Sequence, residues 1–113
     1  MQTPAAFEAQ GMILKNQVRV QKGKIIDIQN HITSLKYQFD QWTEEYSQNS
    51  GALVCGTSLY SSPDNKEWCD TGRNLKAQYD SSQTQVDQEK ARLEQMQDGI
   101  RRKGYGSSVY DPD

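Results

Sequence analysis

The chain has 113 residues and a formal charge of −2 from 13 basic and 15 acidic side chains, which excludes the concentrated basic face that nucleic-acid binding calls for. Only 34% of it is apolar, too little for the thick core of a compact globule but enough for a narrow stripe between two helices. No apolar run approaches the roughly 18 residues of a membrane span, so membrane insertion is not expected.

The opening Met1-Gln2-Thr3-Pro4-Ala5-Ala6 lacks the basic and apolar regions of a signal peptide. Thr3 offers a helix cap and Pro4 suits a first helical turn. From there Phe7, Gly11, Leu14, Val18, Gln21, Ile25, Ile28, Ile32, Leu35, Phe39, Trp42 and Tyr46 follow at unbroken spacings of 4 and 3. All but Gly11 and Gln21 are apolar or aromatic, a heptad seam sustained well beyond three or four repeats. It predicts a helix over 4–49. Asn49-Ser50-Gly51 is a stop signal, and 50–65 reads as a loop with Leu53, Val54, Leu59 and Tyr60 folding back onto the helix ends.

Cys55 and Cys69 are the only cysteines, and an even count flanking a polar loop points to a bridge. Closing that loop contributes on the order of 3 kcal/mol in the chain-entropy description. A disulfide implies a secreted or periplasmic protein whose signal precedes this chain; free cysteines would imply the cytoplasm.

The second seam is Trp68, Gly72, Leu75, Tyr79, Ser82, Val86, Glu89, Leu93, Met96 and Ile100, weakened at Gly72, Ser82 and Glu89. It predicts a helix over 66–103, with Arg101-Arg102-Lys103 favourable in the last turn and Gly104 ending it. The tail 104–113, with two glycines, two serines and Pro112, reads as flexible. Together these elements make one all-α domain over 1–113: an elongated antiparallel helical hairpin, or coiled coil, with a disulfide-closed loop at the turn. A bend near residue 58 would pair positions summing to about 117, setting Trp42 and Tyr46 against the Leu75–Gly72 end and Leu14 and Val18 against Ile100.

The chain offers no catalytic, cofactor-binding or metal-ligand set. His31, the only histidine, follows Asp27 by four residues, but no third ligand converges on it. Catalysis by Cys55 or Cys69 with His31 would need a separation of tens of ångström to close. Neither a phosphate loop nor a nucleophile elbow is present. The carboxylates Asp40, Glu44, Glu45, Asp87, Glu94 and Asp98 fall on outer heptad positions. The chain is therefore not expected to be an enzyme.

Two features exceed the needs of a plain hairpin. Met12, Ile13, Val20 and Ile26 lie off the seam and suggest a second contact surface, for self-association into a homodimer or for another protein. Trp42, Tyr46, Tyr60, Trp68 and Tyr79 gather at the turn end, as a small terminal core or as an aromatic tip offered to a partner. The first expectation is a non-enzymatic extracytoplasmic interaction or oligomerisation module, within a cell-envelope or secretion-associated assembly. The alternatives are a small inhibitor or immunity-like protein acting through the turn loop, and a bundle-type ligand or metal binder using Glu89 and Gln21. The Trp68-Cys69-Asp70-Thr71-Gly72 spacing is not the Trp-x-Gly turn of the WXG helical-hairpin family, so no function is carried over from it.

Overall fold

Thr3 and Pro4 start the first helix as their chemistry requires. The Thr3 hydroxyl accepts the Ala6 N–H at 3.1 Å, the Thr3 carbonyl accepts the Phe7 N–H at 2.9 Å, and Pro4 brings no N–H that would need a partner. The computed structural model describes residues 2–48, 55 and 63–113, with the side chains of all but 46, 47 and 63–65. Their helices are α1 (Pro4–Gln48), α2 (Pro63–Arg102) and α3 (Ser107–Tyr110), and no strand occurs among the described residues. The chain is an all-α antiparallel helical hairpin, with Cys55 and Cys69 bridged at a Cα separation of 5.8 Å. Of the predicted loop, residues 50–54 and 56–62, Tyr60 included, lie outside the described residues.

The second helix opens at Pro63, three residues before the expected start. A proline at the first helical position lacks only a donor that the helix could not have used. The helix closes on Arg101 and Arg102, and Gly104 takes φ 96°, a left-handed conformation that glycine adopts without a Cβ penalty. Its N–H reaches the Arg101 carbonyl at 3.0 Å.

The chain forms two compact units, each drawing one segment from α1 and one from α2: a terminal unit, Met1–Gln29 with Gln85–Asp113, and a loop unit, Asn30–Thr84. In the loop unit Leu35, Trp68 and Leu75 are buried. The Trp42 ring stacks on Trp68 with centroids 4.2 Å apart, and its indole N–H donates to the Trp68 carbonyl at 2.8 Å. A Cβ on Gly72 would overlap the six-membered ring of Trp42. The expected pairing of Gly72 with a large ring is thus present, but the register differs. Trp42 meets Trp68 and Gly72, and Gln21 in the terminal unit meets Glu89, so paired numbers sum to 110–114 rather than 117. The earlier start at Pro63 and the end of α1 at Gln48 account for the shift.

The terminal unit is built on Val18, Ile100 and Tyr105, with Phe7, Leu14, Leu93, Met96, Val109 and Tyr110 packed around them. Here the expectation of a flexible tail is corrected. Tyr105 is buried, lies parallel to the Phe7 ring at 4.1 Å, and donates its hydroxyl to the Phe7 carbonyl at 2.7 Å. Gly11, which weakens the seam when read as sequence, is the socket for this ring: a Cβ there would come 2.8 Å from Tyr105 Cε1. Lys22 then pairs with Asp111 and donates to the Pro112 carbonyl at 2.9 Å, and Arg101 lies 5.1 Å from the centre of the Tyr110 ring. Every described position of both seams is buried or half-buried, including Gly11, Gln21, Ser82 and Glu89.

The two glycine environments predict opposite responses to alanine. A methyl added at Gly23 would meet nothing within 4 Å, so Gly23→Ala should stabilise by up to about 1 kcal/mol through helix propensity. Gly72→Ala gains the same propensity but drives a methyl into a stacked, hydrogen-bonded ring, and should lose about 1–3 kcal/mol. Urea denaturation with the bridge intact measures both. Equal effects at the two sites would contradict the socket.

Candidate interaction surfaces

Two polar side chains inside an apolar seam need partners, because an unsatisfied buried donor or acceptor is costly. Gln21 and Glu89 supply each other. The Gln21 amide donates to Glu89 Oε2 at 2.6 Å and to the Glu89 carbonyl at 2.9 Å. Lys24 stands 3.4 Å and Arg92 3.7 Å from Glu89 Oε1. The hydrogen bond from Gln21, helped by the charges of Arg92 and Lys24, holds the Glu89 carboxyl below its ordinary range of 4.5 against the opposing effect of desolvation. Both oxygens are thus engaged within the protein, which leaves the ligand- or metal-binding expectation without its central carboxylate. Among the described residues no three His, Cys, Asp or Glu side chains gather to hold a metal ion. Asp27 and His31 are both exposed.

The expected interaction patch is exposed: Met12 at 70%, Ile13 at 59%, Val20 at 72% and Ile26 at 54%. Turning 100° per residue, Met12 and Ile26 line one side and Ile13 and Val20 the other side of a row through Ala9, Asn16 and Gly23, directly opposite the seam. The four therefore border one outward face of α1, which Ala5 and Ala6 extend.

The turn-end aromatics divide. Trp42 and Trp68 spend their faces on each other, with Phe39 tilted against Trp42 at 5.5 Å, so these two indoles belong to a terminal core rather than an offered tip. The Tyr46 side chain and Tyr60 lie outside the described residues. Tyr79 is half-buried and floors, with Phe39, a cleft of about 320 Å³ edged by Lys36, Asp40, Lys76 and Asp80. Tyr37 was not among the expected aromatics, yet it is 66% exposed and lines a cleft with Trp42 and Leu75; its place two residues after the seam residue Leu35 was the available signal.

No helix among the described residues is long and apolar enough to cross a membrane. No family model, curated protein or solved structure matches the chain.

The polar pair predicts non-additive mutations. Gln21→Leu or Glu89→Leu alone should destabilise by stranding the partner, whereas both together should recover most of the loss. The pH dependence follows from the lowered native carboxyl. The contribution of Glu89 is complete above the unfolded value near 4.5 and fades as pH falls through the lower native one. The stability gap between the parent chain and Glu89→Gln should therefore hold from neutral pH to about that point and shrink below it. A gap that widens on acidification would refute the sign.

Proposed function

We propose that this chain is a non-enzymatic helical interaction module acting outside the reducing cytosol, where two copies meet through the outer face of α1 in the terminal unit. One observation carries the reading: four large apolar side chains stand exposed on α1 opposite a seam already covered by α2 and the tail. An interior stripe and an exterior stripe on the same helix segment exceed what the hairpin itself uses.

The face suits a copy of itself. In an antiparallel approach about a two-fold axis at Asn16, numbers summing to 32 come together, so Met12 meets Val20, Ala6 meets Ile26 and Ala9 meets Gly23. Small positions then face large ones at the ends of the contact, as a packed interface requires. Burial of each large side chain is worth about 1.5–3 kcal/mol at best, before the cost of association. The Cys55–Cys69 bridge supports a secreted or periplasmic setting, such as a cell-envelope or secretion-associated assembly.

In about 0.5 M salt, where charge contacts are screened beyond a few ångström, light scattering of the parent chain at high micromolar concentration should give a dimer mass. Ile13→Asp with Val20→Asp should give a monomer with unchanged far-ultraviolet helicity. A monomeric parent chain would sink self-association and transfer the face to a different protein. The compartment is checked separately: native mass should be two hydrogens below the reduced formula, and no thiol should react, folded or denatured, until a reductant is added.

A further inference from the structure

The tail lies on α1 in the manner of a bound peptide, held at two points. At one, Tyr105 stacks on Phe7, fills the notch at Gly11 and donates its hydroxyl to the Phe7 carbonyl. At the other, Lys22 holds the Asp111 carboxylate and the Pro112 carbonyl, and Pro112 is buried. Between the two, Gly106, Ser107 and Ser108 are exposed, and clefts of about 450 and 330 Å³ open between this stretch and Lys15 on α1. Among the described residues, every hydrogen bond and ion pair from the tail beyond Gly104 to a long helix goes to α1. The second helix adds apolar packing and Arg101 over the Tyr110 ring.

The backbone of one residue directs this peptide to its own α1. Gly104 stands at φ 96°, in a region that costs any residue with a Cβ and that glycine enters freely. Glycine enters the helical region as well, and with Gly104 there α2 would run straight on. Tyr105 follows Ile100 by five residues, so on a continued helix it would stand about 140° round from the seam that Ile100 marks. Phe7 and Gly11 would then lack their ring, and the tail would lack its site. A second chain in the same state lacks the same two things, so each holds what the other is missing.

We infer that Gly104 is the hinge of a reciprocal tail exchange between two copies of this chain, in which Tyr105 of each fills the Phe7–Gly11 socket of the other and Asp111 of each reaches the other's Lys22. The second copy supplies the ring without which the socket is incomplete, and the exchange is two-fold. The contacts made are those already present within one chain, so the hinge and the concentration decide between the two forms. The exchange uses the flank of α1 beside the seam and does not depend on the outer face proposed above.

The test uses full chains carrying Ile13→Asp and Val20→Asp, which lack the proposed outer-face contact whichever way that reading falls. On this background Gly104→Ala penalises the left-handed turn in every chain. Light scattering at high micromolar concentration should show the association constant raised at least about fivefold, with far-ultraviolet helicity retained. Adding Tyr105→Ala should reverse the gain. Exchange itself is read from two chains that both carry Gly104→Ala, one with Lys22→Glu and the other with Asp111→Lys. Each variant sets like charges together when its tail docks on its own α1 or on that of an identical chain, whereas a mixed pair sets opposite charges together at both contacts. An equimolar mixture should therefore favour the heterodimer over random pairing by about two- to tenfold at low salt. A chain carrying both charge changes, mixed with one carrying neither, should avoid the heterodimer instead. An association constant unmoved by Gly104→Ala, a dimer that survives Tyr105→Ala, or random pairing in either mixture would each overturn the proposal.

Discussion

A seam this narrow has no spare volume, and the protein balances it with rings set against glycines. Gly72 makes room for Trp42, and Gly11 makes room for Tyr105. In both cases the ring is stacked on a second ring and hydrogen-bonded to a backbone carbonyl. The position that lacks a side chain is thus where the most apolar area and a directional bond converge. In the loop unit this arrangement anchors the start of α2, beside the bridged cysteine. In the terminal unit it fastens the chain beyond Gly104 onto α1 and brings Tyr105, Val109 and Tyr110 into the core.

Gln21 and Glu89 play the complementary part. Apolar contacts tolerate sliding by a turn, because one leucine resembles another; a glutamine amide 2.6 Å from a carboxylate does not. A single polar layer of this kind in a coiled coil selects one alignment at some cost in stability. Lys24 and Arg92 surround the carboxylate and make a slipped alignment more costly still. The same layer keeps Glu89 occupied, so the terminal unit is better equipped for holding helices in register than for holding a ligand.

Much of this was legible in the sequence, and the failures share a physical origin. The 4-3 spacing identified every described seam position, because burial along a helix is periodic and the period is read one residue at a time. Thr3, Pro4 and Gly104 marked helix ends through backbone chemistry that is equally local. The register was missed by several numbers, because it depends on where α2 begins, and Pro63 looks like a loop residue until its missing N–H is set against the demands of a first turn. The tail was misjudged for a different reason: glycine, serine and proline describe local freedom, whereas Tyr105 is held by Phe7 and Gly11, about a hundred residues away in the chain. Of the surface features, the exposed face of α1 was visible as apolar residues out of phase with the seam.

The position of the disulfide has a topological consequence. Cys55–Cys69 closes a covalent ring that contains the first residues of α2 and none of α1. The cross-link therefore does not fasten one helix to the other, and α1 hangs from the segment preceding Cys55. Exchange of α1 between two chains would reproduce Trp42 on Trp68, Gln21 on Glu89 and Phe7 on Tyr105 without breaking a covalent bond. A bridge from α1 to α2 would forbid such a swap. This one permits it, so the length of chain between Gln48 and Cys55 decides whether a given α1 folds back on its own α2 or on a neighbour's.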